Sequence, residues 1–358
     1  MLLTRATEVP ASLATELARL QPARIVVLGG PAVVSDAVLG ALVPYATSGS
    51  VTRLWGADRY ETAAAVSAAT TPAPASALFV ATGRNFPDAL VSAPAAASSG
   101  GGMLLVPGGA TSSSVRTEAA RLAPARLVLL GGPGVVTDRV TFDLRTATGD
   151  LAPLPACAYQ DVLTPFTSLD DWQRTLVDTT YMVPASYQPA DLVDTSAAGL
   201  NGGFGVRGLV IGDLAAMAVA ARGAGAPIQI ASAFRSYAVQ QATFDYWVSV
   251  GGYEQALRTS ARAGHSEHQL GTTVDVTSAG GAPPWNYSDW AATPAGAWMA
   301  SNGWQYGFVV SYPRNSFATV CYDYEPWHYR YVGREAAWRI KVSGLTLREW
   351  LWLNGNGG

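Results

Sequence analysis

The chain has 358 residues, more than one hydrophobic core usually serves, so two domains are expected. Hydrophobic residues make up 49% and charged residues 14%, a globular composition rather than a disordered one. A net charge of −3 argues against a nucleic-acid binder, no apolar run is long enough to make a transmembrane segment, and no signal peptide follows Met1.

The first 140 or so residues contain an internal repeat. The segment MLLTRATEVPASLATELARLQPARIVVLGGPAVVSDAV from Met1 matches MLLVPGGATSSSVRTEAARLAPARLVLLGGPGVVTDRV from Met103. Glu16 corresponds to Glu118, Arg24 to Arg126, and Gly29-Gly30 to Gly131-Gly132. Met1 thus falls within a repeat unit, and the natural protein is expected to extend upstream, where an export signal would lie. RIVVLGG and RLVLLGG read as short buried strands stopped by glycine, and so does SALFVATG (Ser76–Gly83). GADRYETAAAVSAA reads as a helix with Asp58 as N-cap and Glu61 completing a capping box. This alternation predicts an α/β open parallel sheet.

The Gly-Gly turns lack both G-x-G-x-x-G and Gly-Lys-Ser/Thr, so a nucleotide site has no support. Arg53, Asp58, Arg59, Arg84 and Asp88 offer groups for a polymer; alternatively Asp58 caps its helix and the arginines pair locally. GADRYETA (Gly56–Ala63), ATGRNFPDAL (Ala81–Leu90) and the VLGGP-like strands resemble the bacterial cell-wall-binding repeat of clostridial surface proteins. The resemblance implies an exported, extracellular, cell-wall-associated protein that attaches to an anionic cell-wall polymer. Members usually carry three repeats; here residues 1–141 hold one full repeat and one partial one.

The Pro/Ala-rich LAPLPA (Leu151–Ala156) marks a linker, placed at 142–156, and a second domain is expected over 157–358. Cys157 and Cys321 read either as two buried thiols or as one disulfide of an exported protein. DLAAMAVAARGAG predicts a helix capped by Asp213 and ending near Gly223, and PIQIASAF a strand that leads to Arg235. Tyr246, Trp247, Trp298, Trp304 and Tyr306 read as core.

All three histidines fall in or beside two motifs, GHSEHQLGTTVDV (Gly264–Val276) and YEPWHYRYVG (Tyr324–Gly333). A catalytic zinc site needs three protein ligands and an open position. His268 and Asp275, seven residues apart, suit a turn at Gly271 followed by a strand, with Thr273 and Asp275 on one face. His328 would be the third ligand and Glu325 the general base. A rival ligand set is His265, His268 and His328, and Asp323, alternating with Glu325 on an expected strand, is a rival base. Arg235 is suited to an oxyanion or a terminal carboxylate. Gln240 and Ser266 are candidate substrate contacts, with a helix surface and a turn as their plain alternatives. Trp327, between base and ligand, is expected to line the cleft.

Ser266-x-His268-x-x-Gly271-x-Thr273-x-Asp275, followed by Glu325-Pro326-Trp327-His328, resembles the VanY-type D-alanyl-D-alanine carboxypeptidases, as does SAFRSYAVQ (Ser232–Gln240). Thr273 departs from the usual alanine. The resemblance implies an α+β zinc peptidase acting on peptidoglycan stem peptides. Zn2+, one per chain, would be bound by His268, Asp275 and His328, with Glu325 as base and Arg235 by the scissile carbonyl. An L,D-carboxypeptidase, a stem-peptide endopeptidase, and a wall-binding protein with a silent peptidase domain are the other readings.

Overall fold

The computed structural model describes residues 1–165 and 172–356, arranged as two compact units, Met1–Asp150 and Leu151–Gly358. Gly358, the expected limit of the second domain, lies outside the described residues.

The first unit alternates helix and strand: α1 (Ala11–Leu20), β1 (Arg24–Leu28), α2 (Asp36–Leu42), β2 (Ser50–Leu54), α3 (Arg59–Thr70), β3 (Leu78–Thr82), α4 (Pro87–Ser98), β4 (Gly102–Val106), α5 (Ser113–Leu122), β5 (Leu127–Leu130) and α6 (Asp138–Thr148). β1 and β2 pair in parallel, and β4-β3-β5 form a parallel sheet. The parallel arrangement follows from strands linked through helices, and every residue of β3 is buried, as a central strand covered on both faces requires. Leu78, Val80, Leu104 and Val106 from the sheet pack with Val115, Ala119, Leu122, Val140 and Leu144 from α5 and α6.

The repeated Gly-Gly-Pro sequences fold alike. Gly29 and Gly131 have φ of 112° and 109°, a left-handed backbone that favours glycine. In each case the valine four residues on, Val33 or Val135, returns its N–H to the carbonyl of Gly30 or Gly132. Asp58 caps α3 by accepting from Tyr60 N and Glu61 N, but the Glu61 carboxylate takes the N–H of Ala57 rather than that of Asp58. Arg53 donates to the Gly29 carbonyl at 2.6 Å and pairs with Asp36, and Arg59 donates to the Gly83 carbonyl at 2.7 Å. These two arginines and Asp58 are therefore engaged in holding turns, whereas Arg84 is exposed. The expected linker at 142–156 overlaps α6. Val140 and Leu144 bury one face of that helix, which runs on until Gly149 ends it in a left-handed cap.

The second unit contains β6 (Val162–Leu163), β7 (Tyr181–Met182), β8 (Leu192–Asp194), β9 (Gly205–Arg207), α7 (Gly208–Gly223), β10 (Ile228–Ser232), α8 (Tyr237–Gly251), α9 (Tyr253–Thr259), β11 (Thr273–Ser278), α10 (Pro294–Asn302), β12 (Phe308–Val310), α11 (Phe317–Val320), β13 (His328–Tyr331), α12 (Arg334–Ser343) and α13 (Leu347–Leu351). Its centre is an antiparallel sheet of order β10-β11-β13-β12. Val274 and Val276 on one face of β11 enter a core with Val210, Leu214, Met217 and Trp290, leaving Thr273 and Asp275 on the other face. α7 begins at Gly208, five residues before the expected cap at Asp213. Val210 and Leu214 extend its buried face backwards, and the Asp213 carboxylate is free to take Tyr331 and Arg334 instead. Cys157 and Cys321 form a disulfide.

Gly271 ends the short 3-10 turn Glu267–Leu270 at φ 72°, and a Cβ there would stand 3.0–3.1 Å from Arg207, Leu192 and Pro189. Gly271→Ala is therefore expected to destabilise the second unit by about 1–2 kcal/mol. Its thermal transition, followed by calorimetry, should fall by several degrees.

Candidate metal centre and active site

Three neighbouring strands place the site. Register aligns Ser232 of β10 with Asp275 of β11, and Asp275 with His328 of β13. A register irregularity between Ile230 and Ser232 bends the edge strand where it delivers Arg235. His268 arrives on the 3-10 turn, which Ser266 caps by accepting the His268 N–H.

His268, Asp275 and His328 are all buried, and each offers a ligand atom within 4.8 Å of the others. His268 Nε2 lies 3.3 Å from Asp275 Oδ2, and His328 Nδ1 lies 3.3 Å from Asp275 Oδ1. The other face of each imidazole is tied down. His268 Nδ1 donates to the Ala233 carbonyl at 2.6 Å, and His328 Nε2 meets the Glu267 carboxylate at 3.0 Å. These outer contacts leave His268 Nε2 and His328 Nδ1 pointing inward, the arrangement that orients metal-binding histidines. His268 Nε2 and Asp275 Oδ1 are buried without a hydrogen-bond partner, a cost that a bound cation removes. Two imidazoles and one carboxylate, with an open side toward a cleft, fit a tetrahedral divalent ion such as zinc.

The electrostatics favour positive charge here. Burial alone would raise Asp275, but its interactions with His268 and His328 outweigh it and hold its carboxyl well below the usual range. Burial would lower His328, yet Asp275 and Glu267 outweigh it and raise the imidazole to about 10. Burial and the nearby Arg235 lower His268 to about 4, which leaves its inward nitrogen unprotonated. Glu325 lies 3.5 Å from His328 Nδ1, and burial, reinforced by the Asp275 and Glu267 charges, raises its carboxyl to about 7. Arg235 donates from Nη1 to Ser232 Oγ at 2.6 Å and from Nε to Gln240 Oε1 at 2.8 Å, with Nη1 3.5 Å from Asp275. Arg235, Ser266, Asp275, Glu325, Trp327 and His328 all line one cleft of about 710 Å³.

Residues 205–334 match the family model of VanY, D-alanyl-D-alanine carboxypeptidase, and residues 53–141 match that of cell wall binding domain 2. Along the chain, a cell wall binding domain is followed by a VanY-family domain. Among its relatives, the putative carboxypeptidase YodJ of Bacillus subtilis (strain 168) is 36% identical over 179 residues, covering 49% of this chain and 65% of that protein. A D-alanyl-D-alanine carboxypeptidase of Enterococcus faecalis is 32% identical over 192 residues, covering 51% of this chain and 66% of that protein. The chain thus spans just under two thirds of the length of these curated relatives. A solved structure of VanYB in complex with D-alanine-D-alanine is 31% identical, with 50% of this chain and 97% of that one covered at a TM-score of 0.43.

Within the VanY-family domain, His265 stands apart from the ligand group. Its Nδ1 meets the Asp178 carbonyl at 2.7 Å and its Nε2 meets Asp161 at 3.0 Å, so both nitrogens are engaged elsewhere. Asp323 lies on irregular chain rather than on the expected strand, and its carboxylate pairs with Arg258 at 2.7 Å. Gln240 is neither on a helix surface nor open to a ligand. It is fully buried, and its Nε2 donates to the Ala261 carbonyl while its Oε1 holds Arg235. Tyr246, expected in the core, is 59% exposed and lines the cleft, whereas Trp298 and Tyr306 do pack against the core.

Sequence reasoning passed over Glu267 and Arg330. The fully buried Arg330 donates to Glu267 Oε1 at 3.0 Å and to the carbonyls of Trp172 and Thr175. Ser311 donates to Glu267 as well, and these partners with His328 outweigh burial to bring its carboxyl down to about 2. Glu267 thus stays ionised behind His328. A charged residue beside a motif histidine, and an arginine two residues after the other on the same strand face, were the available signals. Glu267→Gln is expected to lower the zinc affinity of the VanY-family domain about 10–100-fold, measured by competition with a chelator.

Proposed function

We propose that the second unit is a zinc-dependent carboxypeptidase that removes the terminal D-alanine from peptidoglycan stem peptides, in an extracellular protein held at the cell wall by its first unit through an anionic wall polymer. The observation that carries the reading is the buried His268–Asp275–His328 group, in which His268 Nε2 and Asp275 Oδ1 lack hydrogen-bond partners, set on one cleft with Glu325 and Arg235. The VanY family match over the same residues supports it.

His268, Asp275 and His328 would hold the ion, and zinc there supplies Lewis acidity that polarises a carbonyl and makes water a nucleophile near neutral pH. Glu325, with a carboxyl near 7, accepts the proton of the attacking water and passes it to the leaving amine. Arg235 places its guanidinium beside the reacting centre, where it stabilises the oxyanion of the tetrahedral intermediate or grips the terminal carboxylate. Ser232 and Gln240 position that guanidinium through two hydrogen bonds. Ser266 and Trp327 line the approach of the stem.

Metal content and D-alanine release from a stem pentapeptide test this together. The wild type is expected to hold about one zinc per chain; His268→Ala, Asp275→Ala and His328→Ala should lose it, and His265→Ala should keep it. Chelation should abolish release and zinc should restore it. Glu325→Ala should retain zinc and lose kcat by about 10²–10⁴-fold. Release from a tetrapeptide alone would point to the L,D reaction, and an internal cut to an endopeptidase. No zinc in any preparation after reconstitution would leave a wall-binding protein with a silent peptidase domain. Co-sedimentation with purified cell walls, with and without their anionic polymer, tests the anchoring.

A further inference from the structure

The cleft extends well beyond the reacting groups. Its volume of about 710 Å³ suits a ligand of drug-like size, several times larger than a terminal dipeptide. One wall is a single stripe of α8: Thr243, Tyr246, Trp247 and Val250 follow the i, i+3, i+4, i+7 spacing of one helix face. The adjoining side of α8 is spent on packing, with Gln240 and Phe244 buried. The stripe is apolar yet open, since Tyr246 is 59% exposed and Val250 60%. Tyr246 is set edge-on to Trp247, at 5.3 Å between ring centroids, so its ring orientation is supported from behind. Trp285, on a separate turn, presents a further exposed ring to the same cavity.

The rest of this region is neutral. Gln255, Thr259 and Ser260 contribute amide and hydroxyl groups. Away from the reacting centre the charged residue lining the cavity is Asp323, which Arg258 already neutralises. Aromatic faces with neutral hydrogen-bonding groups suit a saccharide, whose C–H faces stack on rings while its hydroxyls and amides find partners.

The lengths agree. α8 starts just after Arg235, and its rise places Tyr246 about 14 Å and Val250 about 20 Å along the axis from Tyr237. In a pentapeptide stem, four extended residues between the scissile bond and the sugar span about 13–14 Å. We propose that the α8 stripe is a saccharide subsite: it takes the N-acetylhexosamine that bears the stem, against Tyr246, while the stem lies along α8 toward Arg235. The inference rests on the stem-peptide reading of the same cleft.

The test uses the full zinc-loaded chain carrying Glu325→Ala, so that ligands bind without turnover. Isothermal titration compares a pentapeptide attached to N-acetylglucosaminyl-N-acetylmuramic acid with the same free pentapeptide. The glycan-linked ligand is expected to bind about three- to tenfold more tightly. Adding Tyr246→Ala should erase that difference and leave free-pentapeptide affinity unchanged, and Tyr246→Phe, which keeps the ring, should preserve it. Equal affinity for the two ligands, no binding of either, or a preference that survives Tyr246→Ala would overturn the subsite. If the preference is present but the otherwise wild-type enzyme releases no D-alanine, the subsite stands and the carboxypeptidase reading falls.

Discussion

Asp275 is the point on which the second unit's chemistry turns. It is a fully desolvated carboxylate, and such a group persists as an anion only where positive charge is fixed around it. The His328 imidazolium and the Arg235 guanidinium supply that charge, and the His268 imidazole faces the same carboxylate from a third segment. Strand register brings them together: pairing across β10, β11 and β13 puts Ser232, Asp275 and His328 in line. A one-residue slip of β11 would turn Asp275 into the hydrophobic core and Val274 into the cleft, so sheet pairing and site integrity are one constraint.

A second layer of buried charge lies behind this one. Arg330 neutralises Glu267, Glu267 holds His328, and the Ala233 carbonyl holds His268. Each contact fixes the orientation of the group in front of it, so the inward geometry is set before any ion arrives. The same logic explains Gln240. Its amide is buried to keep a cation aimed outward, rather than presented to a ligand.

The sequence was most informative where chemistry and local spacing coincide. His268, Asp275, Glu325 and His328 stood out because rare residue types cluster in short motifs, and the strand that carries Asp275 was readable from its alternation. The parallel sheet of the first unit was legible in its glycine-stopped strands. Contacts between distant segments were not. Nothing local marks Glu267 as the partner of Arg330, 63 positions away, or Gln240 as the partner of the Ala261 carbonyl, and these pairs exist only through tertiary packing. The start of α7 was misplaced for a related reason: Asp213 has the chemistry of a cap, but burial of Val210 and Leu214 carries the helix past it. The edge of α6 was missed because the Pro/Ala-rich signal begins only after Gly149 has closed the helix.

The disulfide gives this unit an unusual covalent topology. Cys157 and Cys321 close a ring across a sequence separation of 164 residues. Arg235, His268 and Asp275 lie inside the ring; Glu325 and His328 hang just outside it, four and seven positions beyond the closing cysteine. A single backbone break within the ring would therefore leave the halves of the site tethered, and the pieces would part only after the sulfurs were also reduced.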